Sequence, residues 1–143
     1  MFPIDNSTQP ISSDHLLPII LIVEDSQPMR AALCDLIGLS YPSSCILQAD
    51  SAEQALELVS SQAPDLVLMD ISLPGMDGLT CLAEIRHIFP QTRSVVISYH
   101  EEQPYQLKAQ KAGASAYITK RRLYLDLMPV IYSFLKPDQV KSK

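Results

Sequence analysis

The chain has 143 residues, a hydrophobic fraction of 47% and a formal net charge of -5. That length suits a single domain able to bury about two-thirds of its unfolded surface without a disulfide or metal staple. The acidic balance argues against a basic nucleic-acid footprint on this chain itself.

Residues 1–17, rich in Ser, Asp, Asn, Gln and Pro, have no apolar period and are expected to form a flexible N-terminal extension. The folded domain is expected over 18–136, with 137–143 a C-terminal tail or the start of a linker. The apolar run from Leu16 to Val23 is far shorter than the ~20 residues that span a bilayer. It has no basic region before it, and Glu24-Asp25 follow at once, so it reads as a buried strand rather than a signal peptide. A cytoplasmic protein without a membrane segment is expected. Cys34, Cys45 and Cys81 are odd in number and form no CxxC pair, so reduced packing cysteines are expected rather than a disulfide framework or zinc site.

Ile19–Val23 is the first of five strand candidates; Cys45–Ala49, Leu66–Met69, Ser94–Ile97 and Ala116–Ile118 follow. The first, third and fourth are apolar at successive positions, as strands of a parallel sheet covered on both faces are. Between them run helical stripes: Met29, Leu33, Leu36 and Ile37; then Ala52, Ala55, Leu56 and Val59; then Leu79, Leu82, Ile85 and Phe89; and a weaker set, Tyr105, Ala109 and Ala112. The last helix is expected to start near Asp126 as N-cap, with Pro129 in its first turn and Met128, Ile131, Phe134 and Leu135 facing inward. Gly38 and Gly113 are read as left-handed residues closing helices; Gly75 and Gly78 fall in the loop after the third strand. The alternation predicts an α/β fold: a doubly wound five-stranded parallel sheet, flavodoxin-like (βα)5, strand order 2-1-3-4-5, with ligands bound beyond the carboxyl ends of the strands.

Those ends carry the chemistry. Glu24 and Asp25 close the first strand, Asp70 the third, Ser98 the fourth and Lys120 the fifth. Three carboxylates in one crevice repel one another, and a hard divalent cation such as Mg2+ (or Mn2+) relieves that repulsion through oxygen ligands. Asp70 then suits a carboxylate nucleophile toward phosphorus, with the cation, Lys120 and Ser98 matched to phosphoryl oxygens. Taken singly, each residue has an ordinary explanation: a helix cap, a surface lysine, a turn at Leu73-Pro74-Gly75. Tyr117 by itself reads as a core aromatic. The joint occurrence at successive strand ends is what favours function.

The runs Leu21-Ile-Val-Glu-Asp-Ser26, Asp65-Leu-Val-Leu-Met-Asp-Ile-Ser-Leu-Pro-Gly-Met-Asp-Gly78 and Lys111-Ala-Gly-Ala-Ser-Ala-Tyr-Ile-Thr-Lys120 resemble the signature segments of response-regulator receiver domains, over residues 18 to 135. The resemblance implies that Asp70 is the phosphoacceptor and Glu24 and Asp25 the metal-binding acids. It implies a further ligand from the Ser72 backbone carbonyl, a switch hydroxyl at Ser98, an aromatic switch at Tyr117 and a phosphate-binding Lys120. The donor would be a histidine kinase or phosphotransfer protein, and phosphorylation would favour a homodimer. The chain would be a phosphoacceptor that supports its own phosphorylation and dephosphorylation, not an enzyme in the turnover sense.

Two positions depart from the family pattern. Tyr99 follows the switch hydroxyl where a small residue is usual, and its bulk is expected to slow small phosphodonors and hydrolysis; Tyr99 and His100 are therefore candidate modulating residues. Arg121 follows Lys120 where many receivers have a cis proline, so an all-trans turn is expected. Both features, with Thr92–Ser98, resemble receivers of the NarL/FixJ group that precede a LuxR-type helix-turn-helix and control transcription. The alternative is a stand-alone or phosphorylation-independent pseudo-receiver acting as an interaction module. A phosphatase using an aspartyl-phosphate lacks its second Asp, because Ser72 stands there, and a flavin or nucleotide binder would meet Glu24-Asp25 where its phosphate loop belongs. His15 and His87 show no ligand or triad arrangement.

Overall fold

The computed structural model describes residues 17–72 and 77–136. The expected extension over 1–17 (except Leu17), the tail over 137–143 and the turn Leu73-Pro74-Gly75 lie outside the described residues. Five strands, β1 (Ile19–Val23), β2 (Cys45–Ala49), β3 (Leu66–Asp70), β4 (Arg93–Ser98) and β5 (Ala116–Thr119), form one parallel sheet in the order β2-β1-β3-β4-β5. They alternate with α1 (Gln27–Ser40), α2 (Ala52–Val59), α3 (Gly78–Ile88), α4 (Gln103–Lys111) and α5 (Leu123–Phe134). The predicted fold class and strand order are those observed.

The unbroken apolar runs become the two cores. Alternate residues of a strand point to opposite faces. Thus Ile20, Ile22, Leu66, Leu68, Val95 and Ile97 pack on one side with Leu33 and Ile37 of α1 and Leu127 and Ile131 of α5. Leu21, Val23, Val67, Met69 and Val96 pack on the other with Ala55 and Val59 of α2, Leu82 and Ile85 of α3, and Ala109 of α4. Burying one such aliphatic side chain contributes roughly 1.5–3 kcal/mol, so the apolar stripes of the helices are held against both faces of the sheet. Cys81 is fully buried in the second core, as a packing cysteine should be.

Short polar devices start the helices just past the strand ends. Ser26, Ser51 and Asp77 accept hydrogen bonds from the backbone N–H of Met29, Gln54 and Thr80 at 3.4, 3.1 and 2.9 Å, each satisfying an otherwise orphaned donor. Asp65 ties the opposite end of the sheet, accepting from the Ile19 N–H through Oδ2 at 2.8 Å.

Three local expectations differ. Gly38 does not end α1; it lies within the helix, which runs on to Ser40 and is capped by Tyr41. The fully buried Tyr41, whose hydroxyl donates to the Leu135 carbonyl, holds that end against α5. Gly113 does adopt the left-handed conformation, at φ 102. The last helix begins at Leu123 rather than near Asp126, after a 3-10 turn over Lys120–Arg122, and Pro129 lies in its interior. Leu123 is buried, so core packing outweighs the capping signal at Asp126, whose carboxylate instead pairs with Arg122 at 3.0 Å. The turn after Lys120 contains no cis peptide, as expected from Arg121.

Gly78 has a steric reason to be glycine. A Cβ there would sit 2.5 Å from the Asp70 carbonyl oxygen and 2.7 Å from the Ile71 Cα, backbone atoms at the root of the site. Gly78→Ala is expected to destabilise the fold by about 1–3 kcal/mol, the usual range for overpacking. Equilibrium urea unfolding measures this; an unchanged midpoint would remove the close approach of α3 as a constraint on β3.

Candidate functional site

The parallel sheet delivers the carboxyl ends of β1, β3, β4 and β5 to one edge. Glu24 follows β1, its N–H donating to the Ala49 carbonyl of β2 at 3.0 Å. Asp70 is the last residue of β3, and Ser98, the last of β4, stands one position beyond the Asp70–Ile97 pairing. Lys120 follows β5 directly. Each predicted residue is therefore carried to the crevice by a strand, buried for β1, β3 and β4 and at the sheet edge for β5.

Glu24, Asp25 and Asp70 offer carboxylate oxygens that all lie within 4.8 Å of one another. Glu24 and Asp70 are 1% and 3% exposed, whereas Asp25 faces solvent. The Lys120 ammonium sits between the two buried acids, 3.3 Å from Glu24 Oε1 and 3.4 Å from Asp70 Oδ2. Asp70 Oδ1 accepts from the Ser72 N–H at 2.9 Å, and Glu24 Oε2 from the Ser26 N–H at 3.1 Å. Glu24 Oε1, although within ion-pair distance of Lys120, has no hydrogen-bond partner. A buried, unsatisfied carboxylate oxygen beside two further carboxylates is an oxygen-only donor set that fits a hard divalent cation.

The electrostatics follow from this crowding. Burial, and next the charge of Asp70, push the Glu24 carboxyl up to about 7 from an ordinary 4.5, against the smaller opposing pull of the Ser26 N–H and Lys120. Burial works against the Lys120 ammonium, but Asp70 and Glu24 outweigh it and hold its pKa above the ordinary lysine value. Burial also raises the Tyr117 phenol.

Around this centre the loop after β4 is pinned from several sides. Ser98, fully buried, accepts the His100 N–H through Oγ at 3.0 Å, and the Tyr117 hydroxyl donates to the His100 carbonyl at 2.7 Å. The His100 ring stacks on Tyr105 at 3.9 Å between centroids. Tyr99 is exposed, but its ring lies 4.4 Å from the Lys120 ammonium, a cation–π contact on the solvent side of the site.

Residues 20–130 match the model of the response regulator receiver domain. This chain belongs to that family. Over 124 residues the receiver is 31% identical to the nitrate/nitrite response regulator protein NarL of Escherichia coli strain K12, a match covering 87% of this chain and 57% of NarL. It is 38% identical over 101 residues to the chemotaxis protein CheY of Bacillus subtilis, covering 71% of this chain and 83% of CheY. Among solved structures, a LuxR-family DNA-binding response regulator from Staphylococcus aureus superposes with a TM-score of 0.75 at 30% identity, covering 82% of this chain and 98% of that one. A CheY-like receiver domain from Methanospirillum hungatei does so at 0.75 and 25%, covering 82% and 92%. The chain spans a little over half the length of NarL and holds a receiver domain of the two-component response-regulator type.

Sequence reasoning named the residues that the receiver gathers: Glu24, Asp25, Asp70 and Lys120 in direct proximity, with Ser72 touching Asp70 through its amide. Tyr117 and Ser98 meet at His100 rather than at Asp70. Two participants were missed. Arg30 donates from Nη1 to the Glu24 carbonyl at 2.7 Å and from Nε to Gln48 Oε1 at 3.2 Å; its place four residues after the N-cap Ser26 was the available signal. Arg121 pairs with Glu101 at 2.9 Å, a link between separate loops that no local pattern announces.

The raised Glu24 pKa sets a pH dependence in buffer free of divalent cations. Between the ordinary value of 4.5 and about 7 the folded state holds more protons than the unfolded chain, so stability falls as pH rises through that window. At about 1.4 kcal/mol per unit at most, the stability of wild type relative to Glu24→Gln should decline by roughly 1–3 kcal/mol across it and level off above. Urea titrations at a series of pH values measure the difference, and a flat profile would contradict the burial of an ionisable Glu24.

Proposed function

We propose that this receiver accepts a phosphoryl group on Asp70 from the phosphohistidine of a histidine kinase or phosphotransfer protein. An Asp70 carboxylate oxygen attacks phosphorus, the phosphorus–nitrogen bond to the donor imidazole breaks, and the electron pair leaves on that nitrogen. The product is an acyl phosphate on Asp70; water later returns the carboxylate and inorganic phosphate. The observation that carries this reading is Asp70 itself: buried, oriented through Oδ1 by the Ser72 amide, and facing the Lys120 ammonium with Oδ2.

Mg2+ (or Mn2+), held by Glu24, Asp25, Asp70 and the Ser72 carbonyl, would neutralise negative charge on the phosphoryl oxygens. Lys120 supplies a second fixed positive charge, already desolvated and therefore effective. Ser98 is one hydrogen bond away from being free to contact a phosphoryl oxygen, since its Oγ is now engaged by the His100 N–H. Its movement would loosen the loop that Tyr117 also holds, and the change would reach α4 and β5. Phosphorylation adds about two negative charges, which is the local bias such a two-state element requires.

In this reading the protein works in the cytoplasm as a phosphoacceptor rather than a turnover enzyme. It binds no nucleic acid itself, dimerises when phosphorylated, and controls transcription through a LuxR-type output, as its likeness to the longer NarL suggests. Among the described residues no helix is long and apolar enough to cross a membrane. The Tyr99 ring over Lys120 is the one feature favouring the alternative, a phosphorylation-independent interaction module.

Incubation with Mg2+ and acetyl phosphate or phosphoramidate, followed by intact mass, should give one acid-stable, base-labile phosphoryl adduct that is absent without Mg2+ and from Asp70→Ala. Failure with both small donors and with a phosphorylated histidine kinase would favour the interaction module. Tyr99→Ala should accelerate labelling and hydrolysis by roughly two- to fivefold, the equivalent of a cation–π contact of about 0.5–1 kcal/mol. Unchanged rates would leave Tyr99 as a bystander.

A further inference from the structure

We propose that Arg30 is a positioning residue for the divalent-cation site, acting through the Glu24–Asp25 peptide and held in place by Gln48. The inference rests on the reading of Glu24, Asp25 and Asp70 as that site.

Glu24 is fixed on three sides. Its N–H donates to the Ala49 carbonyl of β2, its Oε2 accepts from Ser26, and its carbonyl accepts from Arg30 Nη1 at 2.7 Å. The last of these sets the plane of the peptide joining Glu24 to Asp25. Asp25 faces solvent, so the direction of its carboxylate depends on that peptide plane. Rotation of the plane would swing the third carboxylate out of the 4.8 Å cluster.

Arg30 suits this task for two reasons. Its own backbone is anchored in the first turn of α1, the Arg30 N–H donating to the Ser26 carbonyl at 2.9 Å. Its guanidinium is forked, and the second branch donates from Nε to Gln48 Oε1 at 3.2 Å. Gln48 immediately precedes Ala49, the residue that receives the Glu24 N–H. The two peptide groups flanking Glu24 are thus tied to adjacent residues of β2, one to Ala49 directly and one to Gln48 through Arg30. A lysine could reach the carbonyl as a point donor but has no planar fork to hold both branches.

The direct test is Mn2+ binding to the full chain, read as free Mn2+ by electron paramagnetic resonance. Partners that orient metal ligands are worth about 10–100-fold in metal affinity. Arg30→Met, which keeps the aliphatic stem, should weaken Mn2+ binding about tenfold, near the low end of that range. Arg30→Lys should recover part of the loss, and Gln48→Ala should show a smaller loss. In an Asp25→Asn background Arg30→Met should have little further effect, because the two changes act on one ligand; a purely structural arginine would weaken both backgrounds alike. Thermal unfolding in chelator reports whether each variant is folded. If Arg30→Met does not fold, Gln48→Ala decides, and unchanged Mn2+ affinity there overturns the proposal. Wild-type affinity in a folded Arg30→Met overturns it too, while Mn2+ binding and Asp70 phosphorylation by the wild type leave the receiver reading standing. A wild-type chain that binds no Mn2+ overturns both.

Discussion

Two buried carboxylates, Glu24 and Asp70, share one ammonium, that of Lys120, at 3.3 and 3.4 Å. The third carboxylate of the cluster, Asp25, remains in water. Desolvated like charges at this spacing are costly, and a single lysine offsets only part of the cost, as the raised pKa of Glu24 records. Such an arrangement persists only where the surrounding fold over-determines it. The parallel sheet does so: β1 and β3 are adjacent and buried on both faces, so their ends cannot separate without exposing both cores.

The residual strain is also what makes the crevice receptive. A buried carboxylate oxygen without a hydrogen-bond partner and an excess of negative charge together are compatible with a divalent cation. In the proposed function such a cation would neutralise that excess charge, and a phosphoryl group could then be held beside Lys120. The proposed function and the electrostatic cost therefore share an origin at this edge of the sheet, as is common for sites that do chemistry.

The loop after β4 is backbone held by side chains. His100 receives Ser98, Tyr117 and Tyr105 at once, through its N–H, its carbonyl and its ring. Glu101, the next residue, is paired with Arg121, the neighbour of Lys120. Ser98 is thereby tied to Tyr105 of α4, and the loop after β4 to the 3-10 turn that holds Lys120. The exposed Glu101–Arg121 pair is worth little energetically, about 0.2–1 kcal/mol, so the loop is restrained without being locked.

Much of this was legible in one dimension. Continuous apolarity in Ile19–Val23 and Leu66–Met69 specifies strands buried on both faces, and that pattern with intervening 3.6-residue stripes determines a doubly wound sheet. The order of acids, hydroxyl and lysine at successive strand ends located Asp70, Asp25, Glu24, Ser98 and Lys120, because strand ends in such a sheet converge. Local signals failed where packing outweighed them: Gly38 stayed helical because Tyr41 docks α1 on α5, and burial of Leu123 began α5 three residues before Asp126. What only the tertiary structure decided were the contacts between residues distant in the chain. Arg30 on the Glu24 carbonyl and Gln48, Tyr99 on Lys120, Glu101 on Arg121 and the raised pKa of Glu24 all depend on distance and burial. Residue order determines periodicity and capping, but the energy of a charge depends on what surrounds it in three dimensions.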